Sequence, residues 1–380
     1  MLKLLLGICF LPFLGINGSK FPYLNFLIMF IQIIFAPLGY ILLLNTLRNR
    51  NNKQYNGIFV FLVGLYIILI IVSSFINNNL SLGVIYTNIS LFGIYLYYYY
   101  YCMHNLGLVL DAISKILIIY ILINILIVIL NVSWGFYYVN ESKIFVGLFT
   151  NRNTIPLILV PAIFIFTLNS LIQNKKIDFR CFLSSSLSYF LIYISKSSTG
   201  LIVATISIIF IFLISKGLLK VSKWKLSILY VFIYLAIVIF RIQNFLLKEF
   251  IEETLNKRIT FTGRTELWDT VIRNISLSPI IGFGSKNEVL SNSYGIKESH
   301  NGIIEILLWS GILGLVVFLL IIIFSLRNCK VDINSQILIS AIFCYFIGNL
   351  TESGFTLNRY GFWLFIIFVI SYKSREKKII

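Results

Sequence analysis

The chain has 380 residues, of which 59% are hydrophobic and 12% are charged. A soluble globular protein is about 45–50% apolar and about 25% charged, so this composition excludes a soluble enzyme, a disordered chain and a collagen-like fibre. It predicts a polytopic membrane protein made of helices. The net charge of +17 fits either a nucleic-acid partner or a topology signal, and the positions of the cations decide between these two explanations.

Twelve apolar runs are candidates for membrane spans, each of which needs about 20 helical residues, and several of them, the first included, are shorter than that. The runs cover 2–16, 22–47, 56–76, 80–101, 108–130, 154–172, 180–194, 199–215, 226–243, 302–325, 333–349 and 356–372. The first run also fits a signal peptide, but no small-residue cleavage pattern stands out, so we expect a retained helix. Only Ser195–Thr199 separates the seventh run from the eighth, and one bent element is the alternative to two spans there.

Most of the 31 Lys and Arg residues fall on one side of this layout. That side is the cytoplasm if the N-terminus is cytoplasmic, in agreement with the positive-inside bias of membrane proteins. The net charge is therefore explained by topology in a cell membrane, and we expect the lipid bilayer and no nucleic acid as a partner. The only histidines are His104 and His300, and no cysteine motif accompanies them, so we expect no metal site and no cofactor.

The spans divide the chain into three parts. Residues 1–243 hold the first nine predicted helices, 244–301 form one large extracytoplasmic loop, and 302–380 hold the last three helices and a basic cytoplasmic tail. The loop contains a short amphipathic pattern that opens with Thr262 as a helix N-cap and ends at Ser278-Pro279. Its apolar stripe includes Trp268 and predicts a helix lying on the membrane surface.

Arg264 falls in the first turn of this short helix, where the helix dipole does not favour a cation. Its position makes sense if the arginine and the helix N-terminus bind the same anion, because helix N-termini bind phosphate. The alternative is an arginine that contacts only water or lipid headgroups. Arg264 is therefore a candidate for binding a phosphorylated group.

His300 lies at the start of the tenth predicted span and is the only histidine on the predicted outer face. A neutral imidazole can accept a proton from a hydroxyl group. The alternative is a capping or hydrogen-bonded histidine at the membrane interface. His300 is the candidate general base.

Other charged residues lie at the outer ends of predicted spans. Arg152 and Lys196 stand in polar clusters near hydrocarbon, where a cation is costly, so they indicate either a functional site or side chains that snorkel to the surface. Glu305, one turn into the tenth span, can pair with a cation or orient a sugar. Glu352 and Arg359, around the last outer loop, are expected to pair with each other.

Together these clusters resemble the O-antigen ligase and Wzy-type polysaccharide polymerase superfamily over about 145–325. The motifs that carry the resemblance are Gly147…Asn151-Arg152-Asn153, Ser195-Lys196-Ser197-Ser198-Thr199, Gly263-Arg264-Thr265-Glu266-Leu267-Trp268, Pro279…Gly282-Phe283-Gly284 and His300-Asn301…Glu305…Gly311. Each motif is weak alone, and their order is similar to the order in the family.

The resemblance implies a helical membrane fold of the GT-C type that acts without metal on polyprenyl-pyrophosphate-linked glycans. It implies that Arg264 contacts the donor pyrophosphate, that His300 is the general base, and that Lys196, Arg152, Glu305 and Asn301 bind substrate. Lys196 stands where ligases usually carry arginine, so the charge is kept and the bidentate fork is lost. Arg152 is the candidate that supplies this fork.

The residues and the resemblance together predict a surface-polysaccharide polymerase. The predicted enzyme inverts the sugar linkage as it transfers a glycan from undecaprenyl pyrophosphate to a hydroxyl of another lipid-linked repeat on the outer face. The expected partner proteins are a chain-length regulator and a flippase. A ligase that uses another acceptor is the alternative. A flippase or transporter of lipid-linked oligosaccharide is the alternative from a different class, and it predicts cations along a central cavity.

Overall fold

The computed structural model describes residues 1–48, 57–139, 142–242, 264–285, 298–327, 329 and 332–376. Its α-helices are α1 (Leu2–Ile8), α2 (Pro22–Arg48), α3 (Gly57–Ile76), α4 (Leu82–Ile129), α5 (Thr154–Asn174), α6 (Phe179–Ile194), α7 (Ser198–Ser215), α8 (Lys223–Tyr234), α9 (Arg264–Ile275), α10 (Gly302–Leu326), α11 (Ile333–Gly348) and α12 (Tyr360–Glu376). A short antiparallel hairpin joins β1 (Phe136–Val139) to β2 (Ser142–Phe145). The prediction of an all-α protein did not include this hairpin.

Six helices in the described part of the chain are long and apolar enough to cross a membrane, namely α2, α3, α4, α5, α7 and α10. The apolar helices around α1, α6, α11 and α12 are shorter. Helix length and composition therefore support a polytopic helical membrane protein, and the count of twelve spans stays a prediction.

Helix α4 covers both the fourth and the fifth predicted spans. Its 48 residues would extend about 72 Å in a straight helix, whereas the hydrocarbon core of a bilayer is about 30 Å thick. Asn105 interrupts the helical dihedrals with φ −151° and ψ 81°, and its Oδ1 accepts a hydrogen bond from the Leu108 amide at 3.1 Å. Helix α4 therefore consists of two segments that meet between the two predicted spans.

The loops that connect the helices form two groups, and hydrogen bonds join the loops within each group. At one end, which we call the His300 end, the Asn77 side chain donates to the Gly282 carbonyl at 3.0 Å. At the opposite end, Lys223 donates to the carbonyl of Arg327 at 2.6 Å. The grouping follows the alternation of connections that the sequence predicts.

Helix α10 is broken at Gly311, and the Pro279–Gly284 loop completes the hydrogen bonding at the break. Four backbone bonds join them, Phe283 N to Leu308 O at 2.7 Å, Gly284 N to Trp309 O at 2.9 Å, Ile312 N to Pro279 O at 2.8 Å and Leu313 N to Ile280 O at 3.2 Å. The last carbonyls of one helical segment and the first amides of the next have no partner within a helix. The loop supplies partners for both.

The chain reverses direction at this break. The Phe355 ring is 5.0 Å from the Phe318 ring, centroid to centroid, and a Cβ on Gly302 would lie 2.4 Å from the same Phe355 ring. In a straight helix Gly302 and Phe318 would be about 24 Å apart, so the two segments of α10 must lie side by side. The sequence predicted the span at 302–325 but did not predict this reversal. As a result of the reversal, His300 lies at about the same level along α10 as Phe318.

The reversal makes Gly311 sensitive to substitution. Gly311 has φ +61° and ψ −162°, a region that is essentially restricted to glycine, and a Cβ there would lie 2.3 Å from the Ile280 backbone. We expect Gly311→Ala to lower the melting temperature of the purified protein strongly. Gly217→Ala is the matched control, because Gly217 has φ +71° with nothing within 4 Å of a Cβ, so only about 1–2 kcal/mol of backbone strain applies. Equal melting temperatures for the two variants would contradict the packing argument.

The loop at 349–359 is mostly buried. Backbone without regular structure at such depth must find its hydrogen-bond partners within the protein. Asn349 supplies several of them, because its side chain donates to the Tyr345 carbonyl at 2.7 Å and accepts from the Gly354 amide. Its own carbonyl accepts from Gly302 N at 2.8 Å. The loop is thereby fixed against the start of α10.

Candidate active site

The two residues predicted to be catalytic meet at a single carboxylate, that of Glu352. Arg264 Nη2 lies 2.7 Å from Glu352 Oε1, and His300 Nδ1 lies 3.6 Å from Glu352 Oε2. Arg264 begins α9, His300 precedes α10, and Glu352 lies in the 349–359 loop, so three separate parts of the chain converge. The side chain of Glu352 is 13% exposed and that of His300 is 37% exposed, which leaves the imidazole reachable from outside.

Arg264 is positioned by the packing of α9 against α10. Trp268 and Val271 on the apolar stripe of α9 are fully buried. This part of the stripe faces the protein, whereas Ile272 on the same stripe is 44% exposed, and a helix lying on the membrane surface stays a prediction. Thr262, the predicted N-cap, lies outside the described residues.

The residues around His300 hold it in an unusual backbone conformation. His300 has φ +51°, which is uncommon for a residue other than glycine. Glu305 Oε2 accepts a hydrogen bond from the Ser299 amide at 2.7 Å and one from the Ser353 hydroxyl at 3.4 Å. Glu305 thus ties the residue before His300 to the residue after Glu352.

Asn301 connects the same two segments from the other side. Its Oδ1 accepts from the Ile303 and Ile304 amides at 3.1 Å and caps α10, and its Nδ2 donates to the Leu350 carbonyl at 3.0 Å. Asn301 is fully buried and Glu305 is 2% exposed. In this geometry both residues fix the two loops that carry His300 and Glu352.

A narrow cleft of about 20 Å³, which is room for about one water molecule, lies beside Glu352 at the start of two helices. Its lining includes Asn153 and Pro156 at the start of α5, Ser197, Thr199 and Gly200 at the start of α7, and Glu352. Ser197 is the N-cap residue of α7, and its side chain makes no capping hydrogen bond. At the start of α5 the Asn153 and Thr154 amides donate to Asn151 Oδ1, so the start of α7 is the better site for phosphate, which helix N-termini favour. A hydrogen bond of 3.2 Å between the hydroxyls of Thr351 and Thr199 holds the loop beside this cleft.

Two of the predicted substrate-binding cations are chain neighbours of residues in this lining. Arg152 precedes Asn153, and Lys196 precedes Ser197. Lys196 is exposed and has φ +55°. Within the described ranges, neither cation forms an ion pair, and neither side chain is part of the cleft lining.

Arg359 does not pair with Glu352, contrary to the prediction. It lies 3.6 Å from Glu298, between Nη2 and Oε1, and this leaves Glu352 to Arg264 and His300. One signal pointed to Glu352, a carboxylate in the short polar stretch between two apolar runs, but it did not indicate that Arg264 is its partner.

Comparison with known proteins agrees with the resemblance seen in the motifs. Residues 183–319 match the family model described as O-Antigen ligase, and this segment includes Lys196, Arg264 and His300. Searches of curated proteins and of solved structures found no match. Over residues 183–319, this chain of apolar helices is therefore similar to the O-antigen ligase family.

Proposed function

We propose that the protein is a polymerase of a surface polysaccharide, such as a capsule, an O-antigen or an exopolysaccharide. It transfers a glycan from undecaprenyl pyrophosphate to a sugar hydroxyl of another lipid-linked repeat. The observation that carries the proposal is the shared contact of Arg264 and His300 with Glu352, beside a cleft at the start of two helices.

The donor pyrophosphate binds at the start of α7 and contacts Arg264, Lys196 and Arg152. Negative charge accumulates on the pyrophosphate as it leaves, and positioned cations and helix N-termini stabilise that charge. When the donor binds, Arg264 breaks its contact with Glu352 and contacts the pyrophosphate instead. In the free protein Glu352 neutralises Arg264, which is only 17% exposed.

The acceptor hydroxyl gives its proton to His300 as its oxygen attacks the anomeric carbon. The bond from that carbon to the pyrophosphate oxygen breaks on the opposite face, and the electron pair leaves with the pyrophosphate. The configuration at the carbon is therefore inverted, without a metal ion. Once Arg264 has turned to the pyrophosphate, Glu352 stabilises the imidazolium through Nδ1.

The proposal includes a membrane arrangement. The chain crosses the cytoplasmic membrane twelve times in a GT-C-like fold, with the 244–301 loop and the His300 end on the extracytoplasmic face. A flippase delivers lipid-linked repeats to this face, and a chain-length regulator is a further partner.

The test uses the full chain in lipid nanodiscs with lipid-linked repeats and a metal chelator. We expect a ladder of longer glycans on undecaprenyl pyrophosphate, together with release of undecaprenyl pyrophosphate. If the glycan is transferred only to an acceptor that lacks a lipid pyrophosphate, the protein is a ligase and not a polymerase. If intact repeats move across the bilayer of proteoliposomes and no new glycosidic bonds form, the protein is a transporter and not a glycosyltransferase.

A further inference from the structure

A second cavity lies at the His300 end and is lined by residues different from those of the Glu352 cleft. It has a volume of about 330 Å³, within the range of about 300–1,000 Å³ that is usual for small-molecule sites. The start of α4, the end of the first segment of α10 and the 349–359 loop enclose it. We propose that this cavity binds an uncharged sugar of the glycan repeat, an inference that rests on the proposed polymerase function.

The lining mixes apolar side chains, among them Val84, Leu91 and Leu357, with neutral polar ones, and it carries no charge. It combines one tryptophan ring with amide and hydroxyl groups, supplied by Thr87, Asn88, Ser285, Trp309, Thr356 and Asn358. A sugar ring presents C–H groups on its faces and hydroxyls around its edge, so an aromatic surface with neutral donors and acceptors matches it. Without a cation, the cavity does not suit pyrophosphate.

Several polar groups in the lining are left for a ligand. Asn88 donates through Nδ2 to the Val84 carbonyl at 2.9 Å, which leaves its Oδ1 as an acceptor. Asn358 Oδ1 accepts from the Thr356 hydroxyl at 2.5 Å, which leaves its Nδ2 as a donor. The buried hydroxyl oxygen of Ser285 has no hydrogen-bond partner within the described residues. The Ser285 oxygen is closed off from the cavity, so the Asn88 acceptor and the Asn358 donor are the groups that we expect a sugar hydroxyl to bind.

The position of the cavity matches a glycan that extends from the reacting centre. Trp309 lies on the same helical segment that begins after His300, about 10 Å from Gly302 along the axis. Thr356 and Asn358 lie on the loop that carries Glu352. A glycan whose reacting sugar is at His300 therefore places a more distant sugar of the same repeat in the cavity, which selects for the identity of that repeat.

The test is binding of the lipid-free oligosaccharide repeat of the source strain to the full chain in nanodiscs, measured by calorimetry. We expect Trp309→Ala to weaken binding at least tenfold and Trp309→Phe to restore most of it. Trp224→Ala is the matched control, because Trp224 lies at the opposite end and is 61% exposed. Asn358→Ala, at an exposed loop position, is expected to weaken binding with little effect on folding.

Unchanged affinity in both Trp309→Ala and Asn358→Ala, in protein with the wild-type melting temperature, would overturn the sugar site. Polymerisation is measured separately on the wild-type protein. Wild-type protein that binds the repeat through Trp309 but forms no polymer would overturn the proposed function and leave the sugar site standing.

Discussion

Replacing His300 with alanine is expected to slow chain growth by about 10²–10⁴-fold, the usual contribution of a positioned general base. The imidazole is partly exposed, and its Nδ1 faces Glu352 at 3.6 Å, so Nε2 is the nitrogen left to accept the proton of the hydroxyl. The measurement is the initial rate of chain growth from lipid-linked repeats at saturating concentration. The loss should appear in kcat, because the base acts in the transfer step.

The His300→Asn variant distinguishes the role of the imidazole as a base from the role of the residue in the backbone turn. Asparagine tolerates the left-handed conformation better than most residues, so this variant should keep the φ of +51° that His300 adopts. It lacks the imidazole, and we expect it to fold like the wild type and to be as slow as His300→Ala. Wild-type chain growth in His300→Asn would show that the residue serves only the turn before α10.

Replacing Arg264 with alanine is expected to lower the transfer rate by about 10²–10³-fold, as when a group that stabilises developing negative charge is removed. Arg264→Lys should lose less, because lysine keeps the charge but cannot form the bidentate fork. The same reconstituted assay measures both variants, with undecaprenyl pyrophosphate as an inhibitor. We expect this inhibitor to bind more weakly to both variants than to the wild type.

Arg264→Ala also leaves the largely buried carboxylate of Glu352 without its closest cation. Loss of one member of such a pair is destabilising, so we expect a lower melting temperature. The double variant Arg264→Ala/Glu352→Gln should recover the melting temperature without recovering transfer. Recovery of transfer in the double variant would mean that Arg264 serves only to neutralise Glu352.

The sequence predicted the general architecture because long apolar runs have few alternatives to membrane-spanning helices. The described helices overlap all twelve predicted spans, and α1 and α8 each cover only the first part of theirs. The order of the motifs also predicted that Arg264 and His300 act together. Both expectations depend on local patterns that a single stretch of sequence can display.

The parts that sequence missed depend on contacts between distant residues. The sequence suggested Arg359 as the partner of Glu352, and only the fold places Arg264 there, at 2.7 Å. The reversal at Gly311 was hidden because apolar residues fill both segments of α10 and produce one continuous hydrophobic run. Four hydrogen bonds from the Pro279–Gly284 loop stabilise the break. They join two stretches of sequence that share no pattern by which their contact could be predicted.

The reversal of α10 also affects the competition between a sugar hydroxyl and water. Because the two segments of α10 lie side by side, Gly302, two residues after His300, lies against the Phe355 ring next to Phe318. On the proposed function, an acceptor sugar at His300 lies at the edge of this aromatic packing, and its bulk displaces the water that would otherwise hydrolyse the donor. The fold thus favours glycan extension over wasteful release of the donor glycan.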